Sequence, residues 1–340
     1  MSTSTTPAPD TQRLAMAKAI NLGLRRAMER DPKVLLMGED IGALGGVFRV
    51  TDGLQKDFGG DRVVDTPLAE SGIVGTAIGL AVAGYRPVCE IQFDGFIFPA
   101  YDQITTQLAK LHYRSRGAVQ VPVVIRVPYG GGIGAVEHHS ESPEALFAHT
   151  AGLRVVSPAN PADAFTMIQQ AIACPDPVLF LEPKARYWDK ADVEVSAADQ
   201  VAGGQAGLNT ARVVRQGSDV TVAAYGPSVA TALRAATAAE AEGHSLEVLD
   251  LRTISPIDFG TIADSVHRTG RLVVVHEAPV FFGAGAEIAA RISQECFYHL
   301  EAPVARVGGF HAPYPVSKLE HEYLPDLDRV LHAVDDVLAH

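Results

Sequence analysis

Four places in this chain set chemistry-bearing side chains beside backbone that ends or bends. Glu70 stands in Asp65-Thr66-Pro67-Leu68-Ala69-Glu70-Ser71-Gly72-Ile73-Val74-Gly75, a lone carboxylate at the mouth of a run of Gly, Ala, Ile, Leu and Val. Burying a carboxylate beside such a run is costly without a partner. Either solvent and a helix dipole hold it there, or it is kept to move a proton. Glu39 sits in Gly38-Glu39-Asp40, and Phe96 closes Phe93-Asp94-Gly95-Phe96. His138 and His139 follow the glycine run Gly130-Gly131-Gly132-Ile133-Gly134. An imidazole titrates near neutrality, so either histidine could serve as acid, base or hydrogen-bond donor.

Two other readings of these motifs are weaker. Glu137-His138-His139-Ser140-Glu141 matches neither HExxH nor HxxEH. Adjacent side chains of an extended loop point to opposite sides, so no metal site is expected. Gly130, Gly132 and Ala135 fit G-x-G-x-x-A, but no helix pattern begins at once and no Lys-Ser/Thr pair follows. A flexible loop over a ligand and a plain turn both fit that run.

The elements that position these residues alternate. The spacing of Leu14, Ala17, Ile20, Leu24 and Met28 predicts a helix from Thr11 to Arg30. Short apolar runs at Lys33–Met37, Val63–Asp65, Val88–Phe93 and Val121–Val127 read as strands. Thr66-Pro67 reads as the entry of a helix that is apolar on all sides and runs to Gly84. Phe98–His112 reads as another helix. This alternation predicts an α/β fold with a mostly parallel sheet covered on both faces. Ligands of such sheets bind at the carboxyl ends of strands. Glu39, Glu70, Phe93–Phe96 and the histidine loop each follow a strand, so they should converge on one edge. Residues 183–208 lose periodicity and collect Pro, Asp, Gly and Gln, as a linker would. The division is then a lead over 1–10, a first domain over 11–182, the linker, and a second α/β domain over 209–340.

Composition excludes some classes. The chain has 340 residues, 47% hydrophobic, with a formal net charge of −12. That charge argues against a nucleic-acid binder. No apolar run is long enough to predict a membrane span. Cys89, Cys174 and Cys296 form no CxxC pair, which points to reduced, buried thiols. The Ser/Thr/Pro-rich start lacks Arg and resembles neither a secretory signal nor a transit peptide. A cytoplasmic location is expected.

Jointly, several motifs resemble the β subunit of thiamine-diphosphate-dependent 2-oxo acid dehydrogenases. They are Gly38-Glu39-Asp40, Asp65 through Ser71, Glu90-Ile91-Gln92-Phe93 through Pro99-Ala100-Tyr101-Asp102-Gln103, and His138-His139-Ser140-Glu141-Ser142-Pro143-Glu144. Asp250-Leu251-Arg252-Thr253-Ile254-Ser255-Pro256, Val275-His276-Glu277 and Gly283-Ala284-Gly285-Ala286-Glu287-Ile288 resemble the transketolase-type C-terminal domain. The resemblance implies a pyrimidine-binding α/β domain followed by that C-terminal α/β domain. It places Glu70 at N1′ of the cofactor's aminopyrimidine, Phe96 and Leu68 beside the ring, Glu39 nearby, and His139 as the active-site histidine. Val123, Ala171, Ile172, Cys174 and Asp176 fall where some relatives bind potassium, with Cys174 replacing the usual acid.

The chain has no Gly-Asp-Gly, the family's diphosphate and Mg²⁺ motif. The resemblance therefore implies thiamine diphosphate shared with a separate α subunit that holds the Mg²⁺, in an α2β2 heterotetramer serving a lipoyl-bearing acyltransferase. The segments Glu90–Gln103 and Leu181-Glu182-Pro183-Lys184 look closer to branched-chain members, whose substrate is 3-methyl-2-oxobutanoate. Pyruvate or acetoin dehydrogenase is the alternative within the class, and a non-catalytic docking scaffold the alternative outside it.

Overall fold

The computed structural model describes residues 10–196 and 205–340. Its first sheet has seven strands in the order β12-β6-β7-β5-β4-β2-β3. These are β2 (Val34–Gly38), β3 (Val63–Asp65), β4 (Arg86–Glu90), β5 (Val124–Tyr129), β6 (Arg154–Val156), β7 (Val178–Pro183) and β12 (Thr253–Ser255). All neighbours are parallel except β12, which runs antiparallel to β6. Every residue of β2, β5 and β7 is buried, as expected of parallel strands covered on both faces.

Strand alternation divides the first sheet's side chains between two cores. Leu35, Met37, Cys89, Ile125 and Val127 face Ile73, Val74 and Ala77 of the Glu70–Val82 helix. Leu36, Val88, Val124 and Phe180 face Met16, Ile20 and Leu24 of the Met16–Arg30 helix and Ile168 of the Pro161–Ala173 helix. A second sheet, ordered β14-β13-β10-β11-β9, comprises β9 (Arg212–Arg215), β10 (Val220–Ala224), β11 (Leu246–Asp250), β13 (Leu272–Pro279) and β14 (Ala305–Gly309). The first of the two cores continues into it through Tyr225, Leu249 and Leu272.

Five local expectations are corrected. The residues Thr11–Ala15 are a strand, β1, and the helix begins at Met16. β1 pairs antiparallel with β8 (Lys190–Glu194), which lies inside the stretch read as linker. Of that stretch, 197–204 lie outside the described residues, as do 1–9 of the lead. The apolar helix starts at Glu70, because the Thr66 N–H donates to Gly38 O at 2.9 Å and keeps Thr66-Pro67 in line with the sheet. Nor is that helix covered on all sides: Gly72, Thr76, Gly79 and Val82 are exposed. Finally, the single helix expected over Phe98–His112 is a 3₁₀ turn (Asp94–Ala100), a π segment (Gln103–Leu108) and one α turn (Ala109–Arg114).

The strand β12 comes from the second half of the chain, so the two α/β units share a sheet edge. Asp163 extends the join, meeting Arg212 at 2.9 Å and Arg252 at 3.3 Å. The unit that carries the site is therefore held by a unit that follows it in sequence.

Candidate active site

The four adjacent strands β5, β4, β2 and β3 end together, and the groups expected to converge do so at that edge. Glu39 follows β2 and Glu70 opens the helix after β3. Both carboxylates are buried, and no cation of the chain pairs with either among the described residues. Burial raises the Glu39 pKa, and the nearby charges of Glu70 and then Asp40 raise it further. Glu39 Oε1 and Thr66 Oγ1 are buried without a hydrogen-bond partner among the described residues. Buried polar atoms are nearly always satisfied, and these two lie at the carboxyl edge where a ligand's polar groups could reach them.

Aromatic rings form the next wall. Phe93 stacks on His139 with centroids 3.9 Å apart, and Phe96 meets the same imidazole edge-on at 5.1 Å. The Nδ1 of His139 lies 2.8 Å from the His138 carbonyl. A carbonyl only accepts, so Nδ1 carries the hydrogen and Nε2 keeps its lone pair. Burial lowers the His139 pKa, which favours the neutral ring. His138 is exposed and its ring lies 4.3 Å from that of His139. Leu68 is 79% exposed at the same edge, an uncovered apolar side chain.

Buried ion pairs that sequence reasoning did not single out hold this wall. Asp94 and Lys184 pair at 3.0 Å with both side chains fully buried. Burial pushes the Asp94 carboxyl up to about 6 and lowers Lys184. The other oxygen of Asp94 accepts the Glu141 N–H at 2.9 Å, tying the histidine loop to the Phe93–Phe96 turn. Gly95 is required there, since a Cβ would strike the His138 carbonyl. Beneath the aromatics, Arg126 bridges Glu90 at 2.6 Å and Glu182 at 2.6 Å, and Tyr187 donates to Glu182 at 2.5 Å. Arg126 inside β5, and Glu90 and Glu182 at or near the ends of β4 and β7, are charges in otherwise apolar runs, and that was the signal available in the sequence.

The residues that fall where some relatives bind potassium make hydrogen bonds within this chain. Arg86 donates to the carbonyls of Ile172 at 2.8 Å and Cys174 at 3.4 Å, and Arg154 donates to Asp176 at 2.9 Å. The Val123 carbonyl accepts from Val178 N, and that of Ala171 from Cys174 N. Among the described residues no group of three or more His, Cys, Asp or Glu could hold a metal ion, and no helix is long and apolar enough to cross a membrane.

Two α/β units with mostly parallel sheets in tandem, with acids and a histidine at the first sheet's carboxyl edge, are the arrangement of a transketolase-type protein. Residues 12–189 match the family model "Transketolase, pyrimidine binding domain", and residues 209–330 match "Transketolase, C-terminal domain". The chain belongs to the β subunits of 2-oxo acid dehydrogenase E1 components within that family. It is 59% identical over 334 residues to the "Pyruvate dehydrogenase E1 component subunit beta" of Leifsonia xyli subsp. xyli, covering 98% of this chain and 97% of that one. It is 54% identical over 329 residues to the "3-methyl-2-oxobutanoate dehydrogenase subunit beta" of Mycobacterium tuberculosis, covering 96% and 93%. A solved structure described as "Split gene transketolase, inactive beta4 tetramer" superposes with a TM-score of 0.76 over 96% of this chain and 98% of that one at 24% identity, a likeness of fold.

Proposed function

We propose that this chain supplies the pyrimidine half of a shared thiamine diphosphate site and works with an α subunit in an α2β2 enzyme. That enzyme would oxidatively decarboxylate a branched-chain 2-oxo acid and pass the acyl group to a lipoyl group of an acyltransferase. The observation that carries the reading is the pair of buried carboxylates, Glu39 and Glu70, which no cation pairs with among the described residues, next to the unpartnered Thr66 hydroxyl. The absence of Gly-Asp-Gly from the sequence supports assigning the diphosphate and Mg²⁺ to the partner.

Thiamine diphosphate, when bound, supplies the electron sink that lets a 2-oxo acid lose CO₂. The chain's residues account for the rest. Glu70 would hold and exchange a proton at N1′ of the aminopyrimidine, with Glu39 resisting a second negative charge beside it. Phe96 and Leu68 would cover the ring faces and exclude water. His139, neutral with Nε2 open, would accept or return a proton at the substrate or lipoyl end. A cytoplasmic location fits the reading.

The branched-chain choice rests on two segments that the fold packs together. Glu90 and Glu182 share Arg126, and Asp94 pairs with Lys184, so buried ion pairs join the start of Glu90–Gln103 to Leu181–Lys184. The name of the Leifsonia relative favours pyruvate as the second reading. A methylene or two is worth about 1–3 kcal/mol of discrimination. The reconstituted αβ enzyme should therefore show a kcat/KM about tenfold higher for 3-methyl-2-oxobutanoate than for pyruvate. A preference for pyruvate would overturn the substrate assignment and leave the enzyme class standing.

A further inference from the structure

The glycine run before the histidines is moulded on the second α/β unit. Gly131 N–H donates to Glu277 Oε2 at 3.0 Å. Gly132 and Gly134 N–H donate to the two oxygens of Glu320 at 2.9 and 3.0 Å, so one carboxylate spans both amides. Tyr314 Oη donates to Glu320 Oε1 at 2.8 Å and fixes that carboxylate. At the neck of the loop, Gly130 N–H donates to Glu141 O at 3.0 Å.

The glycines follow from this close approach. Gly130, Gly132 and Gly134 have φ of +80°, +89° and +68°, which favour glycine. A Cβ on Gly131 would collide with the Tyr314 hydroxyl, and one on Gly130 would lie 2.7 Å from Glu277 Oε2. Hydrogen bonds from backbone amides to a carboxylate are charge-assisted and stronger than neutral ones. Three of them on one short arm are a mechanical hold on a segment that would otherwise be a mobile loop.

We propose that Glu320, assisted by Glu277, is a positioning residue. It clamps the arm Gly130–Gly134 to the C-terminal unit and so fixes where the chain enters His138-His139. The far side of the loop is already tied, through Glu141 to Asp94. With both flanks held, the His139 ring keeps its stack on Phe93 and its Nε2 keeps one direction. The effect on turnover rests on the reading of His139 given above; the clamp itself does not.

Hydrogen–deuterium exchange of the reconstituted αβ enzyme tests the clamp without relying on activity. In Glu320→Ala, the amides of 130–136 should exchange about tenfold faster than in wild type, while those of β5 stay unchanged. Glu320→Gln should fall between, because its amide has one oxygen for two N–H donors. Gly131→Ala, which displaces Tyr314 without removing a carboxylate, should loosen the same amides. In Glu320→Ala, kcat should fall about tenfold with thiamine diphosphate affinity unchanged. Unchanged exchange in both Glu320→Ala and Gly131→Ala would overturn the clamp. Full turnover by His139→Ala would instead overturn the role given to His139, with the exchange data still deciding the clamp.

Discussion

Glu70→Gln, paired with the α subunit, should decarboxylate its 2-oxo acid about 10³-fold more slowly than wild type. The substitution keeps the size and the hydrogen-bonding outline of the side chain. It removes the exchangeable carboxyl proton. Glu70 opens its helix at the end of β3, where its neighbour Glu39 already has a raised pKa because of burial and the Glu70 charge. Neutralising Glu70 should therefore lower the Glu39 pKa towards the ordinary carboxylate range. Thiamine diphosphate affinity should change by less than about tenfold, since the amide still bonds a ring nitrogen. Single-turnover decarboxylation separates the two effects. A Glu70→Gln enzyme with wild-type turnover would remove Glu70 from the chemistry.

The largest expected loss of stability is at Arg126. Arg126→Met should destabilise the chain by about 3–5 kcal/mol, the cost of leaving a buried ion pair half-made. Its guanidinium is the cation between Glu90 and Glu182, and all three side chains are buried. Burial already raises the Glu90 pKa despite Arg126. A carboxyl whose folded pKa lies above its unfolded value binds more protons when folded, so its contribution to stability grows as pH falls. The Arg126→Met deficit should accordingly shrink between pH 7 and pH 5. Urea denaturation at the two pH values measures this, and an equal loss at both would contradict it.

The convergence of Glu39, Glu70, Phe96 and His139 was legible because each follows a strand, and parallel strands place those loops on one edge. The pairing of β1 with β8 was not, since the partners are far apart in sequence and Leu14 fits the helical spacing of the residues that follow. The start of the apolar helix was misplaced for a related reason. Pro67 suits a first helical turn, but the Thr66 N–H is spent on Gly38, a bond that local sequence cannot show. The glycine run carried a real signal whose meaning lay elsewhere: its partners, Glu277, Tyr314 and Glu320, sit in the other unit.

The most direct test of a half-site is calorimetric titration with thiamine diphosphate and Mg²⁺. The chain alone should show no saturable binding up to millimolar cofactor, and the reconstituted pair should bind one cofactor per αβ unit. Micromolar, stoichiometric binding by the isolated chain would contradict the account.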